Sequence, residues 1–339
     1  MCSKHKIIVI NSRICSNSFS GLGRYFNNIM KYMPKNHSVN FIEKKPSFKL
    51  FKSGLLGHLW DNLGFFSGNN RVWFPTHAGN LFLKDYFITI HDLQPVFFPK
   101  YFNFFFVIWY KITIPIHVNK AKKIFVLSNY VKRLLEKKFI QSHGKVILHS
   151  NGYEHLKSIK LKKVDIKKKY AVILGTVIKH KLTIRNIKIW LESEDKNFYL
   201  YIIGQLHKDE EVEFKELLKA NNQLIYLDCL DDEETFFILK KAQYLYFVSP
   251  YEGFGIPTLE AIFFHIPIIY PKESAIEEIA DGYGLGVDAF DSDEIAQAIR
   301  NIKLIKTNSK KYVDLRMKIL KNYSWKKSAQ ILYNNLVND

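Results

Sequence analysis

Along the chain, short apolar runs alternate with longer stretches whose apolar residues recur at helical spacing. That is the pattern of buried parallel strands with helices packed on both faces of a sheet. Residues 6–10 read as a buried strand, Ser20-Gly21-Leu22-Gly23 as a turn and residues 24–33 as a helix, together one strand-turn-helix unit. Further strands are predicted at 38–43, 71–74, 87–91, 123–127 and 145–148, with helices near 102–119 and 129–138. A lysine-rich segment without strong periodicity, 157–169, reads as a linker. The pattern then restarts, with strands predicted at 170–174, 198–203, 224–227, 244–248, 266–270 and 286–287 and helices between them at 183–191, 209–220, 232–241, 257–264, 275–279 and 293–302. A last amphipathic helix, 324–337, opens with Ser324 as its cap. The fold class is therefore α/β, with two Rossmann-like domains at 1–156 and 170–322 and a final helix in 323–339. In such sheets ligands lie beyond the C-terminal ends of the strands, so the cleft between the two domains is the expected site.

Charge divides the same way. Of 339 residues, 50 are Lys or Arg and 32 Asp or Glu, a formal net charge of +18. Residues 1–160 hold 24 basic and 6 acidic side chains, whereas residues 161–339 hold 26 of each. The first domain should meet something anionic. With 47% hydrophobic residues the chain is globular, not disordered. Cys2, Cys15 and Cys229 are odd in number and widely spaced, which suits free thiols in a reducing cytoplasm better than a disulfide frame or a metal cluster. Residues 7–10 are too short an apolar stretch for a signal peptide. The aromatic run 102–110 is about half of the roughly 20 residues a spanning helix needs, and Lys111 and Pro115 interrupt its continuation. The expected location is cytoplasmic.

The segment Ser249-Pro250-Tyr251-Glu252-Gly253-Phe254-Gly255-Ile256-Pro257-Thr258-Leu259-Glu260 follows a predicted strand and leads into a helix near Pro257, a good first-turn residue. Backbone N–H groups of Gly255 to Thr258 would converge there on an anion such as a phosphate. Glu252 and Glu260 flank that point and could accept hydrogen bonds from sugar hydroxyls. Taken singly, Glu252 could be solvated and Glu260 could merely favour the helix N-terminus. His91-Asp92 after a strand, Gly21 and Gly23 in a turn, and Lys181 among Lys179, His180 and Arg185 have similarly plain alternatives as capped, turn-forming or solvated residues.

Taken together, these segments resemble glycosyltransferase family 4, retaining enzymes of GT-B architecture. The motif Glu252-Gly253-Phe254-Gly255-Ile256-Pro257-x-x-Glu260 resembles the family's donor-site signature. Ser20-Gly21-Leu22-Gly23-Arg24-Tyr25 is similar to its first glycine-rich loop, and Thr89-Ile90-His91-Asp92 to its His-Asp loop. Ser128-Asn129-Tyr130 and Asn151-Gly152 resemble the segments that close its first domain. Ile173-Leu174-Gly175-Thr176 with His180-Lys181 resembles its phosphate loop, and Tyr323-Ser324-Trp325 the start of its last helix. The resemblance implies two domains facing each other across a cleft, with the C-terminal helix packing back toward the first.

By that resemblance Glu252 contacts the donor hexose, Glu260 the ribose and Lys181 the diphosphate, while Gly21 lets the first loop approach the phosphates. Gly175, Thr176, His180, Cys229, Leu230, Gly253, Phe254, Gly255 and Ile256 complete the donor site. His91 sits over the sugar, and Asp92 is a candidate for the acceptor. The implied partners are a nucleotide diphosphate sugar and a saccharide acceptor linked to polyprenyl diphosphate, with no cofactor and no metal. The implied reaction transfers a hexose or deoxyhexose, of mannose, rhamnose, glucose or N-acetylhexosamine type, in O-antigen, capsule or lipopolysaccharide assembly.

The sequence departs from the family pattern at His180, where Arg is frequent, at Leu182, where Asn is frequent, at His265, where Gly is usual, and at Asp228-Cys229. The aromatic run 102–110 with Lys120, Lys122, Lys123, Lys132, Arg133, Lys137 and Lys138 reads either as a surface for the anionic cytoplasmic face of the inner membrane or as core with a solvated basic face. A sugar-nucleotide epimerase of the same architecture is an alternative. A nucleic-acid-binding protein is a remote one, since no helix-turn-helix, zinc, RRM or Walker pattern accompanies the basic charge.

Overall fold

The computed structural model describes residues 6–16, 20–48, 50, 54–167 and 169–338; Cys2 lies outside them. The chain divides into two compact units, residues 1–152 with 324–339, and residues 153–323.

The first unit runs β1 (Lys6–Asn11), α1 (Gly21–Tyr32), β2 (Val39–Lys44), α2 (Gly54–Leu59), β3 (Arg71–Phe74), β4 (Tyr86–Ile90), α3 (Gln94–Phe97), α4 (Phe104–Lys120), β5 (Ala121–Val126), α5 (Asn129–Lys138) and β6 (Val146–Leu148). Its six strands are all parallel, in the order β2-β1-β3-β4-β5-β6. All five residues of β4 are buried, as expected of a central strand covered on both faces. Ile88, Ile90, Ile124, Ile114 and Leu135 form a core in which no side chain reaches solvent.

The second unit runs β7 (Tyr170–Leu174), α6 (Thr183–Ser193), β8 (Tyr199–Ile203), α7 (Glu211–Ala220), β9 (Leu224–Leu227), α8 (Asp232–Lys241), β10 (Tyr244–Tyr246), α9 (Ile256–Phe263), β11 (Ile268–Pro271), α10 (Ala275–Ala280), β12 (Gly284–Val287), α11 (Ser292–Asn301) and α12 (Lys310–Asn322). Its parallel sheet has the order β12-β11-β10-β7-β8-β9. The strand order reverses between β1 and β3 in the first sheet and between β7 and β10 in the second, which are the points where such sheets open to ligands. The final helix, α13 (Trp325–Asn338), returns to the first unit and packs on α1, with Trp325, Ala329, Leu332 and Leu336 fully buried. Arg71 Nη1 and Lys6 Nζ donate to its last carbonyls, Leu336 O at 2.6 Å and Val337 O at 2.8 Å.

Each predicted strand is present within a few residues; the sequence reading differs from the structure at residues 153–169 and lacks α2, α3 and α12. Residues 153–169 belong to the second unit: Leu156 is buried, Lys162 pairs with Glu234 at 2.5 Å, and Lys167 N donates to Tyr201 Oη at 3.1 Å. The lysines lie against acidic and aromatic partners of that unit, so the segment is a strap along it. Helix α4 runs through Pro115, in agreement with the helix predicted near 102–119; the proline is exposed, so the missing N–H costs a solvent-facing bond. Helix α12 has no counterpart in the sequence reading, because its lysines interrupt the apolar spacing. The unit boundary leaves the charge division unchanged. The first unit holds 24 basic against 6 acidic residues and the second 26 of each. Among the described residues no helix is long and apolar enough to cross a membrane.

Candidate functional site

In the second unit the loops after β7 and β10 meet at the reversal of strand order. Beyond β7, Gly175 has φ +127, and a Cβ there would lie 3.4 Å from Lys181 Nζ. Gly204, at the end of neighbouring β8, cannot be replaced, because a Cβ would stand 2.3 Å from Gly175 O. The chain continues through a 3-10 turn, Lys179–Lys181, and enters α6 through Leu182 in the left-handed region, φ 54°. This turn brings Lys181 Nζ to 2.9 Å from Glu252 Oε1, with the two side chains 22% and 16% exposed. The cation and the carboxylate singled out from sequence are thus an ion pair.

Beside them lies a pocket lined by Gly175, Thr176, Lys181, Thr183, Asn186 and Ser249, among others. Asn186 Nδ2 donates to Val248 O at 2.9 Å, and Tyr246 Oη donates to Asn186 O at 3.1 Å, locking α6 to the strand that delivers Glu252. Asn186 Oδ1 and Ser249 Oγ, both buried, have no hydrogen-bond partner, so polar capacity remains in the pocket wall. Burial, and then the charge of Lys181, lower the pKa of His180 to about 4, so it is neutral at pH 7.

Helix α9 begins after Gly255, whose φ is +91; a Cβ there would press on Ile276 Cγ1 at 3.0 Å. Pro257 occupies the first turn, as its spacing predicts. Gly253, Phe254 and Ile256 are buried, with Phe254 edge-on to Tyr323 at 5.6 Å. Glu260 is only 2% exposed and lies 3.6 Å from His155 Nε2. Cys229 and Leu230 sit in the loop between β9 and α8 at the sheet edge and do not line this pocket; Cys229 is exposed, 3.7 Å from Asp228 Oδ1. Asp291, in the sequence Asp291-Ser292-Asp293, caps α11 by accepting from Asp293 N and Glu294 N.

In the first unit His91 follows β4. Its Nε2 donates to Pro75 O at 2.8 Å and its ring stands edge-on to Tyr25 at 4.7 Å. Burial lowers its pKa to about 4. A neutral ring that donates through Nε2 leaves Nδ1 as an acceptor. Asp92 Oδ1 accepts from Gln94 N at 3.2 Å, a turn-capping role. Gly21 opens α1 behind the Ser20 cap, and a Cβ on it would meet nothing within 4 Å. Among the described residues nothing therefore requires a glycine there.

The structure adds residues that the sequence reading does not single out. Asp61, fully buried, receives Arg13 through Nε at 2.8 Å and through Nη2, together with Asn11 Nδ2 at 2.8 Å. His58 lies 3.6 Å from the same carboxylate. His77 accepts from or donates to Tyr110 Oη at 3.0 Å, and burial lowers its pKa to about 3. These groups lie beyond the C-terminal ends of β1 and β3, near His91. Position after a strand is the available signal, and a sequence separation of 48 between Arg13 and Asp61 hides the pairing. Among the described residues no group of three or more His, Cys, Asp or Glu is arranged to hold a metal ion.

Known proteins share both the region and the architecture. Residues 156–321 match the family described as glycosyl transferases group 1. The O-antigen chain mannosyltransferase RfbU of Salmonella typhimurium is 25% identical over 242 residues, covering 70% of this chain and 66% of that protein. The serotype-specific mannosyltransferase WbdA of Escherichia coli is 27% identical over 153 residues, 44% of this chain and 18% of that one. The chain thus spans just under two thirds of the first relative and a fifth or less of the second. Among solved structures, WaaG, a glycosyltransferase involved in lipopolysaccharide biosynthesis, superposes with TM-score 0.69 at 13% identity, covering 98% of this chain and 100% of that one. Anabaena Alr3699/HepE, in complex with UDP and glucose, does so with TM-score 0.67 at 13% identity, covering 99% and 100%. The chain accordingly has the GT-B fold, and nearly all of its second unit matches the glycosyl transferases group 1 family.

Proposed function

We propose that the protein is a retaining glycosyltransferase of family 4 that moves a hexose or deoxyhexose from a nucleotide diphosphate sugar to a saccharide hydroxyl. The observation that carries this reading is the Lys181–Glu252 pair at 2.9 Å, set where the strand order of the second sheet reverses and inside the group 1 region. Lys181 is the cation for the diphosphate, assisted by the N–H groups at the start of α9. Glu252 accepts from the donor sugar's hydroxyls, and buried Glu260 accepts from the ribose. His91, neutral and with Nδ1 as acceptor, takes a hydrogen bond from a sugar hydroxyl. The mannosyltransferase names of the relatives make mannose the first donor sugar to try, with guanosine, uridine and thymidine diphosphate forms all included.

In the reaction the anomeric carbon–oxygen bond to the diphosphate breaks as the acceptor oxygen attacks from the same face. The departing phosphate oxygen takes the acceptor's proton. Charge on the leaving group is met by Lys181 and backbone dipoles, so turnover needs no metal ion and survives chelation. The acceptor is lipid-linked, carried on polyprenyl diphosphate, and is used at the cytoplasmic face of an anionic membrane in O-antigen, capsule or lipopolysaccharide assembly. The positive charge of the first unit supports that surface.

A thermal-shift screen of nucleotide sugars tests the reading, since a ligand at 100 times its dissociation constant stabilises by about 2.7 kcal/mol. The hit is then assayed for transfer with retention of anomeric configuration. Loss of transfer in a folded Glu252→Ala variant is expected; unchanged transfer would remove Glu252 from the mechanism.

A further inference from the structure

Helix α4 has two apolar sides. Val107, Tyr110, Ile114 and Val118 face inward and are buried. On the outer side Phe104, Phe105, Ile108 and Ile112 are 69, 77, 38 and 54% exposed, and exposed Lys111 and Pro115 continue the stripe. A helix covering a sheet normally turns polar residues outward, and a contiguous exposed apolar patch marks an interaction surface. The helix contains no acidic residue, and Lys100 precedes it.

Charge decides the partner. A second copy of a unit with 24 basic and 6 acidic residues would be repelled at this face. A nucleic acid would use the lysines and the aromatic rings but would find no role for Ile108, Ile112 and Pro115. An anionic bilayer takes both, with apolar side chains at the acyl boundary and Lys100 and Lys111 among the head groups.

We infer that the outer face of α4 lies in the interface of an anionic lipid bilayer, with the Phe104–Phe105 end inserted deepest. This end sits at the C-terminal edge of the first sheet, the edge that also carries His91 and Asp92. The lysines that the sequence groups with the aromatic run are mostly elsewhere. Lys122, Lys137 and Lys138 are exposed at the opposite edge, about 25 Å away along a 17-residue helix. The inserted end is therefore the one nearest the expected acceptor site, and the far lysines touch head groups only if the helix lies flat.

The inference locates the membrane contact of the proposed function, and its test requires no glycosyl transfer. The full chain is floated with vesicles of phosphatidylethanolamine and phosphatidylglycerol. The wild type should bind, and Phe104→Glu with Phe105→Glu should lower partition about tenfold or more without changing thermal unfolding or nucleotide-sugar binding. Phe105→Trp should bind like the wild type and be quenched by lipids brominated on the acyl chain. Absence of wild-type flotation, full flotation of the double glutamate variant, or an unquenched Phe105→Trp would each overturn the inference. So would a dimer in solution that the double variant makes monomeric, because a second copy would then cover the face. If nucleotide sugars fail to bind while vesicles do, the transferase reading falls and the membrane face stands.

Discussion

Replacing Glu252 with Gln should strengthen the binding of a free nucleoside diphosphate while abolishing transfer. Lys181 is held by Glu252 at 2.9 Å, and both side chains are largely shielded from solvent. The gross attraction at that distance and an effective dielectric near 20 is about 6 kcal/mol, an upper bound on what the pair contributes. A diphosphate that takes the ammonium must share it with the carboxylate and sits about 5 Å from it. With an effective dielectric near 40 at this half-open position, that repulsion is about 1.7 kcal/mol, or more than tenfold in Kd. Gln keeps the size and a hydrogen-bonding oxygen but removes the charge. Isothermal titration of both proteins with the diphosphate that the wild type binds best measures the gain, which should shrink as salt is added. The intact donor should gain less, because Glu252 also holds its sugar. Equal or weaker diphosphate binding by Glu252→Gln would refute the assignment of Lys181 to the phosphates.

Leu182 at φ 54° and His265 at φ 64° occupy left-handed positions, so Leu182→Asn and His265→Gly should each stabilise by up to about 1 kcal/mol in denaturant unfolding. Asp61→Asn breaks a buried pair with Arg13 and should cost about 3–5 kcal/mol, read as a lower unfolding midpoint. Burial lowers the pKa values of His77 and His149 to about 3 and of His91 and His117 to about 4. Unfolded histidines bind protons below about pH 6.5 and these do not, so stability is full above that pH and falls as pH drops toward the folded values. The loss between pH 6.5 and 5 should be roughly 1–2 kcal/mol for each buried ring; equal stability at the two pH values would show that the rings are solvated.

Much of this architecture can be read from local pattern, because a parallel sheet covered on both faces demands uninterrupted apolar strands such as Tyr170–Leu174 and Tyr86–Ile90. The glycine-rich turn into α9 is equally readable, since Gly255 and Pro257 each have a conformational reason to be there. What local pattern hides is conformation and distance. Leu182 and His265 look like mere departures from a family pattern until their positive φ explains why Asn and Gly are favoured at those places. Arg13 and Asp61 look like scattered charges until the fold buries them together. The lysines near residue 160 look like a linker because their partners, Glu234 and Tyr201, lie far along the chain. Lys122 and Phe104 seem adjacent in a text of letters, yet a helix of 17 residues holds them apart.

Helix α13 fixes when the first unit can finish folding. That unit contains strands that precede residues 153–323 and also a helix that follows them, whose Trp325 and Leu332 are wholly buried. On the ribosome the amino-terminal unit must therefore wait, its α1 face uncovered, while all of residues 153–323 are synthesised. The second unit, made of one continuous stretch, can close first, reversing the usual order in which an amino-terminal domain folds ahead of its successors.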